Sequence, residues 1–318
     1  MGPAIRSKKN LVEILMATFE GSAFLEEQLE SLLDQTYSHW NLVIRDDGSS
    51  DDTLPLIHSY AARYPGKIRV VDSHTNKRGP CRNFTSLLEF STAPYTMFCD
   101  QDDVWFREKI EMSLEEMQRL EGLFGQSCPL LVHTDLQVVN EHLDIIADSY
   151  WEHQNLSPNK FLSLNRLLVQ NGVTGCATMI NGSLRDPLLP IPAGAIMHDW
   201  WTALVASAFG KIGFIDRPAL KYRQHDRNEV GAKRWGWRFI RSRLSDPGEI
   251  RHSLRNTQIQ AEAFLERYVD RLSPDQYKLV KDYATLDSQT FWGRRSTILR
   301  AGYFKNGLLR NVGLLTFV

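Results

Sequence analysis

The sequence lacks an excess of charge of either sign. Its 318 residues include 37 lysines and arginines and 38 aspartates and glutamates, which gives a formal net charge of −1. Domains that bind nucleic acids usually carry a basic face. The balance therefore gives no support to a nucleic-acid-binding protein, whereas a hydrophobic content of 42% is typical of a folded globular protein.

Cysteine is scarce and never closely paired. The four residues, Cys81, Cys99, Cys128 and Cys176, lie far apart without any Cys-x-x-Cys motif. Disulfide-rich domains and thiolate zinc sites depend on dense or paired cysteines. The spacing argues against both and indicates a reducing compartment.

Long hydrophobic runs are also missing. No apolar run approaches the roughly 20 residues that a membrane-spanning helix needs, and the first ten residues, MGPAIRSKKN, have no apolar core of a signal peptide. We therefore expect a cytoplasmic protein, or one that is peripheral at the inner face of the cell membrane.

Acidic residues are absent from Ser288 to Val318, where five basic residues are interleaved with aromatic and aliphatic ones. A basic amphipathic segment of this kind can lie on an anionic membrane surface. The alternative is a helix that packs its apolar face on the rest of the protein and leaves its arginines in water.

Short apolar stretches of strand length alternate with stretches that carry apolar residues at helical spacing. The predicted strands are Leu11–Thr18, Asn41–Arg45, Lys67–Asp72, Tyr95–Cys99, Leu130–His133, Gly175–Ile180, Lys211–Ile215 and Ala219–Tyr222. The alternation predicts an α/β fold with a Rossmann-like, mostly parallel central sheet flanked by helices. From about residue 231 the pattern becomes helical throughout. We expect a first domain over residues 1–230 and a helical C-terminal extension over residues 231–318.

Acidic residues cluster where two predicted strands end. Asp46 and Asp47 follow the second strand, and Asp100, Asp102 and Asp103 follow the fourth. Ligands collect at the carboxyl ends of parallel strands, and carboxylates suit Mg²⁺ or Mn²⁺, which can neutralise nucleotide phosphates. Taken alone, the cluster after the second strand is equally explained by turn and helix-capping aspartates, and for an isolated Asp-x-Asp such as 100–102 that explanation is the more common one.

Three segments carry a resemblance to a known family: TFEG at 18–21, DDGSSDDT at 46–53 and DQDDVW at 100–105. In order and spacing they resemble the inverting family 2 glycosyltransferases of GT-A fold. The resemblance covers roughly the first 230 residues and extends to NKRGPCRNF at 76–84.

Two downstream segments add to the resemblance. HDWW at 198–201 is similar to the acidic segment that supplies the catalytic base in that family. YRQH at 222–225 resembles a segment of bacterial rhamnosyltransferases of surface polysaccharide synthesis. That match is partial, because DRN at 226–228 stands where the subgroup has a small residue and an asparagine.

The resemblance implies a role for each matched side chain. The residues assigned to the donor nucleotide are Thr18, Glu20, Asp47, Arg78 and Asp100. Asp102 and His225 would hold Mg²⁺ or Mn²⁺, and Asp199 would be the general base that accepts the proton of the attacking hydroxyl. For His225 the alternative is a surface histidine, and for Asp199 a helix cap.

Three tryptophans lie beside these motifs. Trp105, Trp200 and Trp201 are candidates for an acceptor or sugar pocket, and packing in the core is the alternative for each.

The resemblance thus implies an inverting, metal-dependent glycosyltransferase of bacterial surface polysaccharide synthesis (O-antigen, lipopolysaccharide core or capsule). The expected donor is dTDP-L-rhamnose, with a UDP-hexose as the alternative, and the expected acceptor is a lipid-linked saccharide. Two other classes stay open. A nucleotidyltransferase would normally show a glycine-rich basic loop near the first strand, where this chain has ATFEG at 17–21, and a non-catalytic glycan-binding protein would have no use for the assembled aspartates.

Overall fold

The computed structural model describes residues 10–71, 79–226 and 247–318. Two expectations fall outside these residues: the assignment of Arg78 to the donor, and the domain boundary at residue 230.

The described residues form nine strands and twelve α-helices. The strands are β1 (Val12–Thr18), β2 (Trp40–Asp46), β3 (Ile68–Val70), β4 (Tyr95–Cys99), β5 (Val104–Trp105), β6 (Leu130–Val139), β7 (Ile145–Ala147), β8 (Thr178–Asn181) and β9 (Lys211–Arg223). The helices are α1 (Leu25–Leu33), α2 (Thr53–Arg63), α3 (Pro80–Phe90), α4 (Lys109–Phe124), α5 (Tyr150–His153), α6 (Leu164–Leu167), α7 (Gly182–Leu188), α8 (His198–Phe209), α9 (Pro247–Tyr268), α10 (Pro274–Ala284), α11 (Phe291–Ala301) and α12 (Leu308–Phe317).

All nine strands belong to one sheet in the order β3-β2-β1-β4-β8-β6-β9-β5, with β7 paired to β6. β1 is parallel to β2 and β4, and β2 is parallel to β3. Because β8 is antiparallel to both of its neighbours, β4 and β6 run in the same direction, and β9 is parallel to β6. The mostly parallel α/β sheet is therefore confirmed. The carboxyl ends of β1, β2, β4 and β9 lie along one edge.

The core lies on both faces of the sheet, because successive side chains of a strand point to opposite sides. In β1, Ile14 and Met16 pack with apolar residues of α1 and α2, whereas Leu15 packs with those of α3 and α8. These residues are fully buried. β1 is therefore covered by a layer of helices on each face of the sheet.

The C-terminal helices share this core. Phe264 and Tyr268 of α9 contact Trp201 of α8, with ring centroids 5.4 and 6.0 Å apart. Tyr283 and Tyr303 are also buried. The described part of the extension is helical, as predicted, and it packs on the α8 face of the sheet.

The segment Ser288–Val318, which contains no acidic residue, forms α11 and α12. Ile298 and Leu314 are buried, while Trp292, Leu299 and Leu308 are exposed. Each helix therefore packs one side on the protein and presents apolar side chains on the other. No helix in the described part of the chain has the length and apolarity that crossing a membrane requires.

The structure differs from the strand predictions in three places. Gly175–Ala177, the first half of the strand predicted at 175–180, is a 3₁₀-helix that precedes β8. The stretches at 211–215 and 219–222 form a single strand, because the register with β6 shifts near Thr134 and Asp135 and so accommodates Pro218 without a turn. β6 also continues past His133 to Val139, since Thr134 and Asp135 are polar yet buried.

Candidate active site at the carboxyl edge of the sheet

The turn after β2 is held by Asp46. Its carboxylate accepts hydrogen bonds from the main-chain N–H groups of Gly48 and Ser49 at 2.8 and 2.7 Å and from Thr18 Oγ1 at 2.8 Å. Gly48 has a φ of 89°, a conformation that glycine adopts without strain. The Thr18 hydroxyl, assigned to the donor from the sequence, is buried and orients this turn.

Asp47, the next residue, joins β2 to the start of α3. Its carboxylate accepts from Arg45 Nη1 at 2.6 Å and from the Gly79 N–H at 2.7 Å. Glu20, also assigned to the donor, accepts from the main-chain N–H and the hydroxyl of Ser50 at 2.7 and 2.8 Å. The two acids thus stand at the ends of neighbouring strands β1 and β2.

Gln101 fixes the loop after β1 against the loop after β4. Its side-chain amide accepts from the Phe19 N–H at 2.8 Å and donates to the Phe19 carbonyl at 2.9 Å. A Cβ atom on Gly21 would lie 2.2 Å from Gln101 Oε1, so only glycine leaves room for this clamp. Gly21 belongs to the TFEG segment of the family resemblance, and nothing in the sequence indicated Gln101 as its partner.

Asp102 and His225 meet although they come from different strand ends. His225 Nε2 lies 2.8 Å from Asp102 Oδ2, and the side chains are 9% and 15% exposed. The histidine ring stacks on Phe24 at 4.7 Å. Two ligands at right angles on a Mn²⁺ or Mg²⁺ ion lie about 3 Å apart for bonds of about 2.1 Å, so this pair fits one cation.

Asp100 lies in the same group of carboxylates. Burial, the Asp102 carboxylate and the Asp199 carboxylate together raise the pKa of Asp100 to about 7. Asp103 is fully buried, and its Oδ1 accepts from the Arg223 N–H at 3.2 Å. A bound cation would stabilise the charged form of these acids, so the excess of carboxylates also fits a metal.

Cys176 and Lys109 lie beneath the carboxylates. One ligand atom each from Asp100, Asp103 and Cys176 lies within 4.8 Å of the others, but a thiol is a poor ligand for Mg²⁺ or Mn²⁺. Lys109 Nζ donates to the Cys176 carbonyl and sits 3.4 Å from the centre of the Trp105 ring. Burial lowers the pKa of Lys109 to about 8. No pattern in the sequence predicted this buried lysine.

Asp199 is in the first turn of α8. Its carboxylate accepts from the Gly175 N–H at 3.0 Å and from the Trp200 N–H at 2.5 Å. Burial raises its pKa to about 6. Because Asp199 contributes to the raised pKa of Asp100, the structure places the predicted base near Asp100, which the sequence analysis assigns to the donor nucleotide.

The tryptophans require a correction. Trp105 and Trp201 are 3% and 0% exposed and belong to the hydrophobic core, so neither presents a ring face to a sugar. Trp200 is half-buried, and its Nε1 donates to the Leu167 carbonyl at 2.6 Å. For Trp105 and Trp201 the packing alternative is therefore the correct one.

Tyr150 and Arg310 lie at the same edge and were not expected there. Burial, followed by the Cys176 and Asp199 charges, raises the pKa of Tyr150 to about 12. Arg310, from α12, donates to the carbonyls of Gln154 and Asn155 at 2.7 and 3.2 Å. The C-terminal extension thus reaches the loop that follows α5.

Comparisons with known proteins agree with this geometry. The family model for Glycosyl transferase family 2 matches residues 13–180, more than half of the chain. The chain is 27% identical over 233 residues to the dTDP-rhamnosyl transferase RfbG of Shigella flexneri, which covers 68% of this chain and 74% of that protein.

A second relative is named UDP-Glc:alpha-D-GlcNAc-diphosphoundecaprenol beta-1,3-glucosyltransferase WfgD, from Escherichia coli. It is 24% identical over 170 residues, which cover 54% of this chain and 59% of WfgD.

Solved structures share the fold. Residues 1–349 of S. aureus TarS in complex with UDP-GlcNAc superpose with a TM-score of 0.54 at 15% identity, covering 92% of this chain and 89% of that one. The mannosyltransferase PcManGT of Pyrobaculum calidifontis, in complex with GDP-Man and Mn²⁺, has a TM-score of 0.51 at 15% identity, covering 96% and 78%. The fold is GT-A-like.

Proposed function

Because the chain belongs to glycosyl transferase family 2, we propose that it transfers a sugar from a nucleoside-diphosphate sugar to a saccharide hydroxyl with inversion at the anomeric carbon. The observation that carries the proposal is the group of three acids, Asp100, Asp102 and Asp199, with His225 beside Asp102. A nucleotide-binding fold would not by itself require Asp199 on α8 to lie near Asp100 and Asp102, which follow β4.

The donor nucleotide would lie over the ends of β1 and β2. Asp47 and Glu20 flank this position, Asp100 lies beyond it, and Thr18 supports it from below. The Asp47 carboxylate already accepts a hydrogen bond from the Gly79 N–H, which holds it in place. A bound nucleoside would compete with the Gly79 N–H for this carboxylate. Arg78, just before Gly79, is assigned to the donor phosphates from the sequence.

Asp102 and His225 would hold Mg²⁺ or Mn²⁺. When bound, the metal would stabilise the negative charge that develops on the departing diphosphate. Asp100 would assist from the same edge, and its high pKa would fall next to a cation.

Asp199 would act as the general base. The Gly175 and Trp200 N–H groups fix its carboxylate, and a pKa of about 6 leaves it mostly ionised at neutral pH. The acceptor hydroxyl attacks the anomeric carbon from the face opposite the diphosphate, and Asp199 takes its proton as the new bond forms.

For the sugar we propose L-rhamnose from dTDP-L-rhamnose, because RfbG is named a dTDP-rhamnosyl transferase and shares the most extensive similarity among the relatives described above. A UDP-hexose is the alternative, since WfgD is named for UDP-Glc. The acceptor would be a saccharide on a lipid diphosphate in bacterial surface polysaccharide synthesis, which places the enzyme in the cytoplasm or at the inner face of the membrane.

A thermal-shift panel tests the proposal. Wild-type protein is screened with dTDP, UDP and GDP and their sugars, with and without Mn²⁺, beside Asp102→Ala and Asp199→Asn. We expect stabilisation by dTDP that requires Mn²⁺, is lost in Asp102→Ala and persists in Asp199→Asn. If no nucleotide stabilises the protein under any metal condition, the donor site is refuted. Release of a nucleoside diphosphate from the sugar donor separates the transferase from a nucleotidyltransferase, which would release inorganic pyrophosphate from a nucleoside triphosphate.

A further inference from the structure

The C-terminal extension contains a cavity of about 480 Å³, lined by residues of α9, α11 and the end of α12. None of the residues assigned to the donor, the metal or the base lines it. Its charged side chains are four arginines and one aspartate: Arg251, Arg255, Arg294, Arg295 and Asp287. Counted over side chains, the lining therefore carries more positive than negative charge, and it also includes the apolar side chains of Leu254 and Phe317.

Two of the four arginines have internal partners. Arg255 pairs with Glu262 at 3.2 Å and with Asp287 at 3.7 Å. Arg295 donates to the main-chain carbonyls of Phe291 and Thr316 at 2.8 and 3.3 Å. These contacts leave Asp287 already engaged by Arg255.

The other two arginines are not compensated in this way. Within the described residues, the side chains of Arg251 and Arg294 form no ion pair or hydrogen bond, and Arg294 Nε is buried without an acceptor. A buried donor without an acceptor is costly. An anion in the cavity would supply the acceptor, and a guanidinium group binds phosphate oxygens through two parallel hydrogen bonds.

The helices that line the cavity also carry exposed apolar side chains. Phe291 lines it and is 52% exposed, and its neighbour Trp292 is 76% exposed. On α12, Leu308 and Val312 are exposed as well. The Arg295 hydrogen bond to the Thr316 carbonyl joins α11 to the end of α12, and both residues line the cavity.

We propose that the extension binds an anionic membrane surface, with the phosphate of a phospholipid headgroup in the arginine-lined cavity and the exposed residues of α11 and α12 in the interfacial layer. The chemistry of the surface fits: it combines aromatic and aliphatic side chains with basic residues, and residues 288–318 contain no acidic residue that would repel an anionic surface. The proposal rests on the proposed function for its setting, since a lipid-linked acceptor would be presented at such a surface.

Vesicle co-sedimentation at low salt tests it. The full chain is mixed with phosphatidylcholine vesicles and with vesicles that contain about 30% phosphatidylglycerol, an anionic lipid. We expect preferential binding to the anionic vesicles that weakens as salt is added. In Arg251→Gln/Arg294→Gln, the partition coefficient should fall roughly tenfold, since each basic residue near such a surface contributes several-fold to binding. Trp292→Ser should also weaken binding.

The matched control is Arg63→Gln/Arg119→Gln, which removes two charges from α2 and α4, and its partition coefficient should stay within about twofold of wild type. Equal binding by the cavity variant and the control would overturn the proposal, and so would wild-type protein that ignores anionic vesicles. Stabilisation by inorganic phosphate without vesicle binding would also refute it and would assign the cavity to a free anion. The Mn²⁺-dependent nucleotide shift is measured on the same variants, so loss of vesicle binding with an intact nucleotide shift separates this proposal from the donor site.

Discussion

His225 Nε2 lies 2.8 Å from Asp102 Oδ2, although 123 residues separate them in sequence. The contact forms because β4 and β9 run in the same direction, so the residues that follow them emerge at the same edge of the sheet. One residue comes from the region matched by the family model and the other lies beyond it.

Replacing His225 by alanine should weaken metal binding. Removing a group that only supports a ligand already costs roughly 10–100-fold in metal affinity, so loss of a ligand should raise the Mn²⁺ concentration for half-maximal activity at least tenfold. The measurement is a Mn²⁺ titration of donor turnover at saturating donor. His142→Ala, at an exposed histidine, is the control; an unchanged titration in His225→Ala would show that Asp102 holds the metal without it.

Much of this edge could be predicted from the sequence, because its first half depends on local patterns. The alternation of apolar runs with acid-rich turns placed β1 to β4 within a few residues of their positions. The rule that parallel strands end at one edge then brought Asp47 and Asp102 together. Asp199 needed the family resemblance, since nothing local distinguishes it from a helix cap.

The missed features depend on partners that are remote in sequence. Gln101 acts on the main chain of Phe19, and Lys109 on the Cys176 carbonyl, and neither residue type predicts such a partner. For Trp105 and Trp201 the sequence left a sugar pocket and core packing open for the same reason: it shows that a tryptophan is present, but only the packed structure shows that both rings are enclosed.

The Gln101 clamp predicts a specific penalty at Gly21. In Gly21→Ala the new methyl group would collide with the Gln101 side chain, and overpacking of this kind typically costs about 1–3 kcal/mol. Chemical denaturation measures the loss. In a Gln101→Ala background the same substitution should cost less, because the colliding group is gone.

Gly122→Ala is the matched control for that cycle. It lies within α4, where an added Cβ meets nothing within 4 Å, so it should stabilise the protein by about 0.5–1 kcal/mol. Equal penalties for Gly21→Ala in both backgrounds would mean that Gln101 is not the group that demands glycine there.

The contacts of Arg310 indicate that α12 restrains the loop after α5. Its hydrogen bonds to the Gln154 and Asn155 carbonyls are charge-assisted and worth about 1.5–3 kcal/mol each when well formed. Arg310→Ala should therefore speed amide hydrogen exchange at residues 153–156 by roughly tenfold or more.

Arg300→Ala, on the exposed side of α11, should leave exchange in this loop unchanged. If Arg310→Ala accelerates exchange across the whole chain to the same extent, the arginine contributes to global stability and not to this loop.

The raised pKa of Asp199 predicts that kcat/KM falls as the pH is lowered. Its folded pKa of about 6 lies above the ordinary value of 3.8, so protonation below about pH 6 should remove the base and lower kcat/KM about tenfold per pH unit. Asp199→Asn should lose roughly 10²–10⁴-fold in turnover and should no longer show this limb.

The raised pKa of Asp199 also predicts how the stability of the protein depends on pH. Because the folded state binds the Asp199 proton more tightly than the unfolded state does, the contribution of this group to stability is largest below pH 3.8 and is lost as the pH rises through about 6. Asparagine cannot ionise, so the Tm of Asp199→Asn relative to wild type should increase between about pH 4 and pH 8. Asp186→Asn, at an exposed aspartate, should show no such trend. A difference in Tm that does not change with pH would mean that Asp199 titrates near its ordinary value, and its assignment as a base tuned by burial would fail.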